Sequence, residues 1–448
     1  MTTPARAAAY ATLLREETER ERLDLSWAAT PESAGLAARD RSLAFELVTG
    51  TLRRRGSIDA VMRSVADIDF RRVSVGARVA LRMGAFQLLF LDRVPAHAAV
   101  SESVSLVAPE GRRTAGFVNA VLRRVADDGR ETFARLSAGD DVGALAVKYS
   151  HPDWLVEGWL AELGREAAET VLAAGCAPPE RCLRVNRRRA TPEQARASLA
   201  GDGVATATVA DFPDALLAGA GPALETTSAF REGLVTAQSR GSQLVGHVVA
   251  EGARQCGDPV RVLDLCAAPG GKTAHLAALL PQARITACDI DLQRAAAMQR
   301  NLERLGVRAE SVVADATTLS ARTLGGFAAV LVDAPCSGLG ILASRPELRW
   351  RRRVDTFARR DRRQHALLAS AAALVAPGGR LTYAVCTLTR RETVDVVGAH
   401  AAAAGWAADD LAAERPEYRD PWDGRFLATL PGRHGSSGFF VARLRRLG

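Results

Sequence analysis

The chain has 448 residues, with 59 lysines and arginines against 51 aspartates and glutamates, a formal net charge of +8. That length points to two or three domains, and 48% hydrophobic with 25% charged residues excludes both a disordered chain and a membrane protein built of apolar spans. Lysine stands only at Lys148 and Lys272; a genome rich in arginine codons explains the bulk of that bias, and a surface of guanidinium groups suits phosphate and RNA.

The first segment, 1–138, reads as helix after helix. Leu43, Leu47, Val48 and Leu52 recur at helical spacing, as do Phe117, Val121, Leu122 and Val125, with breaks at Gly56, Pro95 and Pro109. Small and acidic residues between Ser137 and Gly143 mark a linker. Over 150–235 the periodicity suggests a small α+β module. His151-Pro152-Asp153-Trp154 opens a helix with Pro152 in its first turn, Cys182 to Asn186 and Val204 to Val209 resemble strands, and Thr191-Pro192 with Gln194 has the form of a capped helix start.

From 236 to 448 short apolar strands alternate with helices. Candidate strands are Val260 to Leu265, Arg284 to Cys288, Ser311 to Val313, Ala328 to Val332 and Arg380 to Ala384. This pattern predicts an α/β, Rossmann-like, doubly wound and mostly parallel sheet, which binds ligands at the carboxyl ends of its strands.

The informative residues follow those strands. Asp264 and Leu265 run into Cys266-Ala267-Ala268-Pro269-Gly270-Gly271-Lys272-Thr273, a glycine-rich turn that lets the backbone approach a ligand. A phosphate-binding P-loop would need a glycine where Cys266 stands, and a dinucleotide fingerprint would need glycines spaced differently. Asp289 after the second strand suits a ribose and Asp315 after the third suits an adenine amino group. Such carboxylates repel a triphosphate and tolerate a sulfonium, which favours S-adenosyl-L-methionine. The alternative for either aspartate is a helix cap.

Asp333-Ala334-Pro335-Cys336-Ser337-Gly338-Leu339-Gly340 follows the fourth strand and Cys386 follows the fifth. Carbon 5 of a pyrimidine is a poor nucleophile, and a thiolate adding at carbon 6 activates it, with a carboxyl such as Asp333 placed to stabilise the adduct at ring nitrogen 3. Methylation at oxygen or nitrogen needs no cysteine, so the pair favours carbon 5 of cytosine or uracil. Chemistry alone leaves open which cysteine attacks. Lys272, kept in a chain that is otherwise nearly all arginine, reads as an active-site cation.

Asp264 to Thr273, Asp333 to Gly340 and Tyr383 to Thr387 together resemble the Sun (Fmu/RsmB) family of RNA cytosine-5 methyltransferases, which modify small-subunit ribosomal RNA. Arg39-Asp40-Arg41 and Gly116 to Arg123 are similar to the NusB-like RNA-binding domain of that family; His151 to Trp154 and Leu183 to Asn186 match its middle segments. The resemblance implies that Cys266 to Lys272 binds the methionine end of the cofactor, that Asp289 and Asp315 bind ribose and adenine, and that Asp333 lies near cofactor and base. It also implies that Cys386 is the nucleophile and Cys336 helps release product. Two departures stand out: Ala384-Val385 precedes the nucleophile where a hydroxyl is usual, and the following Arg390-Arg391-Glu392-Thr393 reads only as a helix cap.

The expected activity is methylation of cytosine carbon 5 in 16S ribosomal RNA through a covalent adduct of cysteine to carbon 6. The rivals are a transfer RNA cytosine-5 methyltransferase and a non-catalytic RNA-binding assembly factor. Seven scattered cysteines without a Cys-x-x-Cys pair and seven scattered histidines argue against disulfides and metal and for a reducing cytoplasm. No stretch has the length of a membrane span, and nothing demands more than a monomer. Nine arginines between Arg345 and Arg363, interleaved with Trp350 and Phe357, are expected to contact the RNA backbone, with Arg53 to Arg55, Arg112 with Arg113, and Arg187 to Arg189 as weaker candidates.

Overall fold

The computed structural model describes residues 2–257, 260–353 and 357–447; Asp355, an acid within the arginine-rich stretch, lies outside the described residues. The chain forms two compact units, Met1–Pro178 with Leu342–Arg351, and Pro179–Ile341 with Arg352–Gly448.

The first unit is helical. Ala38–Arg53, Val75–Phe90 and Arg112–Leu136 are among its longest helices, and their apolar stripes meet in one core. Leu47, Val48, Leu52, Val121, Leu122 and Val125 are buried there, whereas Phe117, one turn earlier on its helix, stays 38% exposed. The break predicted at Gly56 falls at Arg54, between Ala38–Arg53 and Arg55–Ala66, and Gly56 itself lies in the first turn of the second helix; Pro95 caps Ala96–Leu106, and Pro109 lies in a short turn. Pro152 likewise stands at the cap of Asp153–Leu163, just before the first turn.

Leu342–Arg351 belongs to this helical unit and corrects the reading of the arginine-rich stretch. Arg349 is fully buried and donates to the carbonyls of Ser150, Gly175 and Leu342 at 3.1, 2.6 and 3.1 Å. Trp350 Nε1 donates to Leu52 O at 3.0 Å, and Arg351 to Arg20 O and Glu21 O at 2.9 and 2.6 Å. Arg53, listed by charge with the RNA candidates, is buried as well. These guanidiniums satisfy backbone carbonyls, which a run of charges in the sequence does not reveal. The exposed arginines of the stretch include Arg359, Arg362 and Arg363 on the helix Phe357–Leu374.

The second unit holds two sheets. Strands β1 (Cys182–Val185), β2 (Thr206–Val209), β3 (Phe212–Ala218) and β4 (Val235–Ala237) form an antiparallel sheet ordered β2-β3-β1-β4. The helix Pro192–Gly201 packs with it and starts with the predicted capping box, Gln194 N to Thr191 Oγ1 at 3.3 Å and Thr191 N to Gln194 Oε1 at 2.8 Å. Asn186 Nδ2 donates to Gly233 O and Leu305 O, joining this module to the larger sheet.

That sheet contains β5 (Arg261–Leu265), β6 (Arg284–Asp289), β7 (Glu310–Val313), β8 (Phe327–Asp333), β9 (Val375–Val385), β10 (Trp406–Ala408), β11 (Leu427–Thr429) and β12 (Phe439–Arg446). Its order is β10-β12-β9-β8-β5-β6-β7, with β11 paired to β12. The five strands β5 to β9 are parallel, as expected, and β12 adds antiparallel to β9, so the whole is mixed. Side chains alternate between two cores: Ala329 and Leu331 face one, Val330 and Val332 the other. Helices Arg240–Arg254, Gly271–Leu279 and Leu292–Arg304 cover the first face, and Phe357–Leu374 with Val394–Ala401 cover the second. The chain winds from β5 to β7 in one direction and resumes at β8 on the other side of β5. That reversal opens a crevice at the carboxyl ends of β5 and β8.

Candidate active site

The turn after β5 is built by two residues in the left-handed region, Cys266 at φ 60° and Gly270 at φ 88°. At Gly270 a side chain would also press on Met298, whose Cγ lies 2.8 Å from an ideal Cβ position. The turn is braced from the helix Leu292–Arg304: Asn301 Nδ2 donates to Pro269 O at 2.9 Å, and Arg294 donates to Ala268 O at 2.9 Å.

Asp289, ending β6, is buried and tied to the same turn. Its Oδ2 accepts from Ala268 N at 3.2 Å and lies 3.3 Å from the Arg294 guanidinium; its Oδ1 accepts from Asp291 N at 3.1 Å. The helix that follows is capped by Asp291, not Asp289. Asp315 does act as a cap, accepting from Thr317 N and Thr317 Oγ1 at 2.9 and 2.8 Å, and that amide holds its carboxyl below the ordinary range. Ile290 and Val313 are 49% and 47% exposed beside these carboxylates. A Cβ on Gly271 would meet open space. Buried and half-buried carboxylates, exposed apolar side chains and an open glycine turn at one sheet edge fit a nucleoside with a cationic tail, and offer no cradle of cations for a triphosphate.

Asp333 ends β8, and its Oδ2 lies 2.7 Å from Lys272 Nζ. Burial pulls the Lys272 amine down, and the charge and hydrogen bond of Asp333 outweigh it, so the ammonium is held above its usual value. Parallel pairing sets Asp333 opposite Ala384 of β9. The segments that follow bring Cys336 and Cys386 to a Sγ to Sγ distance of 3.4 Å. Both cysteines remain partly exposed. The hydrogen bond from Cys336 pulls the Cys386 thiol below its ordinary value, against burial and Asp333 and with help from Lys272. The same hydrogen bond and burial push Cys336 well up. Cys266 and Cys288 are different: burial pushes them up to about 12 and about 11, so they remain thiols. A lowered thiol pKa belongs to nucleophilic cysteines.

The structure thus brings Lys272, Asp333, Cys336 and Cys386 together, with the Cys266–Gly271 turn, Asp289 and Asp315 along the same edge. The segment read only as a helix cap holds Glu392, which does not cap the following helix but is a fully buried carboxylate beneath both cysteine segments; Arg294 and Asn301 were missed altogether. The only signal for Glu392 was an acid in a stretch otherwise basic. Among the described residues no group of three or more His, Cys, Asp or Glu could hold a metal ion, and no helix is long and apolar enough to cross a membrane.

Comparison with known proteins covers all three segments of the chain. Residues 255–445 match the family described as 16S rRNA methyltransferase RsmB/F, residues 3–127 the NusB family, and residues 151–222 the ferredoxin-like domain of RsmF/B-like methyltransferases. The probable ribosomal RNA small subunit methyltransferase B of Bacillus subtilis is 32% identical over 460 residues, covering 100% of this chain and 99% of that protein. The ribosomal RNA small subunit methyltransferase B of Sodalis glossinidius is 32% identical and covers 92% of each. The crystal structure of PH0851 superposes with a TM-score of 0.83 at 25% identity over the full length of both chains. NSun6 from Pyrococcus horikoshii with SFG has a TM-score of 0.59 at 22% identity, covering 66% of this chain and 98% of that one, and shares the fold. With helical, ferredoxin-like and catalytic segments matched in order along its whole length, the chain belongs to the Sun/RsmB family of ribosomal RNA small subunit methyltransferases with an N-terminal NusB-like domain.

Proposed function

We propose that the protein methylates carbon 5 of cytosine in 16S ribosomal RNA with S-adenosyl-L-methionine. The observation that carries this reading is the pair of cysteines 3.4 Å apart at the ends of adjacent strands, beside the Lys272–Asp333 pair. The names of the relatives support ribosomal RNA as substrate, and the cysteine pair supports carbon 5 as the atom modified.

S-adenosyl-L-methionine supplies the electrophilic methyl group. Cys266 to Lys272 would hold its methionine end, Asp289 the ribose, and Asp315 with Ile290 the adenine. On the RNA side, the Cys386 thiolate forms a bond to carbon 6, and the electron pair of the 5,6 double bond becomes available at carbon 5. A proton carried on the Asp333 carboxyl is donated to ring nitrogen 3 as the adduct forms, which offsets the negative charge that develops there, and returns to Asp333 when the base is released. After methylation the proton on carbon 5 is removed. That proton passes to water, its electron pair restores the double bond, and Cys386 leaves as thiolate, the form that the hydrogen bond from the protonated Cys336 favours. A base within structured RNA must leave its stack to reach the cysteines, at a cost of a few kcal/mol.

Paired substitution tests the reading. Cys386→Ala should abolish methylation of 16S RNA, and Cys336→Ala should accumulate a covalent protein–RNA species visible on a denaturing gel. An active Cys386→Ala enzyme would contradict the assignment of the nucleophile. Bisulfite sequencing of total RNA from a deletion strain separates ribosomal from transfer RNA as substrate.

A further inference from the structure

Glu392 follows Cys386 by six positions in the chain, in the Arg390–Thr393 segment that the sequence alone reads only as a helix cap. Its side chain is 0% exposed, and a carboxylate so placed must find hydrogen bonds for its lone pairs. It finds them on both cysteine segments. Ser337 N donates to Oε1 at 2.8 Å and Ser337 Oγ bonds Oε2. Thr387 Oγ1 and Thr389 Oγ1 donate to Oε2 at 3.2 and 3.3 Å. Gln364 Nε2 bridges Oε1 at 3.2 Å and Pro335 O at 3.0 Å. Ser337 and Thr387 are the residues directly after Cys336 and Cys386, and they also bond each other at 2.6 Å.

We propose that Glu392 is a positioning residue, a single buried carboxylate that fastens the Cys336 and Cys386 segments to each other and keeps the two thiols unequal, one as hydrogen-bond donor and one as nucleophile. This rests on the cysteine roles given above. The geometry is that of a clamp: one side chain accepts from the residue following each cysteine, so neither segment can shift without breaking a charge-assisted bond. Its charge acts in the same sense. The hydrogen bond to Cys386 and burial keep Cys336 protonated, and the Glu392 carboxylate adds to that effect. A protonated Cys336 is what Cys386 needs as a donor when it ionises.

The test reads each thiol separately, in the full-length protein without RNA or cofactor. Iodoacetamide alkylation is followed against pH, and each cysteine is quantified by peptide mass spectrometry. In the wild type Cys386 should react on the order of tenfold faster than Cys336 near neutral pH, because the thiolate is the reactive form. In Glu392→Gln, which keeps the shape and removes the charge, that preference should shrink to about threefold or less. Its kcat for methylation should fall about tenfold or more, with the KM for S-adenosylmethionine within about twofold. An unchanged preference together with an unchanged kcat overturns the proposal.

Should Glu392→Gln not fold, Ser337→Ala and Thr387→Val each remove one arm of the clamp while the charge stays. Each should lower kcat severalfold and leave the alkylation preference in place, and wild-type kcat in both would reduce Glu392 to a purely structural role. Cys386→Ala keeps the two levels apart. If it remains active, the nucleophile assignment fails; if it is inactive while Glu392→Gln behaves as wild type, the clamp alone fails.

Discussion

Lys272 Nζ sits 2.7 Å from Asp333 Oδ2, linking the first turn of the helix after the Cys266–Gly270 turn to the strand end that leads into Pro335-Cys336. The ammonium also stands 5.2 Å over the ring of Phe439 from β12, a placement that confines the cation to one side of the crevice. One charge therefore serves both halves of the site: it balances Asp333, and it favours ionisation of Cys386.

Lys272→Met should lower the methylation rate by about a hundredfold or more, the scale of removing a preorganised charge from a site, because it leaves Asp333 uncompensated. The pH midpoint for alkylating Cys386 should move up as well. Lys272→Arg should not restore the rate, since a planar guanidinium does not occupy the place of a compact ammonium. Single-turnover kinetics on the three proteins decide it; full activity in the arginine variant would mean that any cation suffices.

Asp264 links stability to pH. It is fully buried, its Oδ2 accepts from Thr273 Oγ1 at 2.6 Å, and its Oδ1 has no hydrogen-bond partner among the described residues. Burial pushes its pKa up to about 7, against the Thr273 hydrogen bond. An acid raised on folding holds more protons folded than unfolded, so stability falls as pH rises from the ordinary carboxylate value, about 4, toward that point. Asp264→Asn imitates the protonated form. Its melting temperature relative to the wild type should climb between pH 4 and 7 and level off above; parallel curves across that range would rule out the linkage.

The parts of this protein legible in its sequence are those fixed by local rules. The strands from Val260 to Ala384 were readable because parallel strands buried on both faces are short apolar runs, and the Thr191–Gln194 capping box because it is specified within four residues. The site was readable where residues directly follow strands. What was hidden depends on distant chain segments. Phe439–Arg446 pairs with β9 from the far end of the chain, and Phe212–Ala218 includes Pro213 and Asp214, poor strand formers carried by their neighbours. Arg349 is an arginine whose partners are carbonyls up to 296 positions away, and Glu392 is an acid whose partners lie on the Cys336 segment. Charge in a sequence does not say whether it faces water.

Gly340 offers a test of how the Cys336 segment is held. Its amide donates to Cys386 O at 3.0 Å and its carbonyl accepts from Gly438 N at 2.7 Å. An ideal Cβ there would lie 2.2 Å from Gly438 O, a backbone atom that cannot swing aside. Gly340→Ala should force the segment away from Cys386 and cut methylation by about a hundredfold, the cost of displacing a reacting group by about 1 Å. S-adenosylmethionine binding, followed by calorimetry, should be retained, and equal loss of binding and turnover would locate the damage elsewhere.

In the helical unit the decisive residue is Arg349. Its buried guanidinium satisfies carbonyls of Ser150, Gly175 and Leu342, and burial lowers its pKa from the usual arginine value. Hydrogen bonds to a charged group contribute about 1.5–3 kcal/mol, so deleting several at once exceeds what an ordinary surface change costs. Arg349→Met keeps most of the stem and should destabilise the helical unit by about 3 kcal/mol, because the three carbonyls remain buried and lose their donor. Arg362→Met, an exposed arginine on the neighbouring helix, should change stability by less than about 0.5 kcal/mol. Urea unfolding of the full-length protein, followed by tryptophan fluorescence, compares the two; equal midpoints would show that the Arg349 bonds are replaced by water.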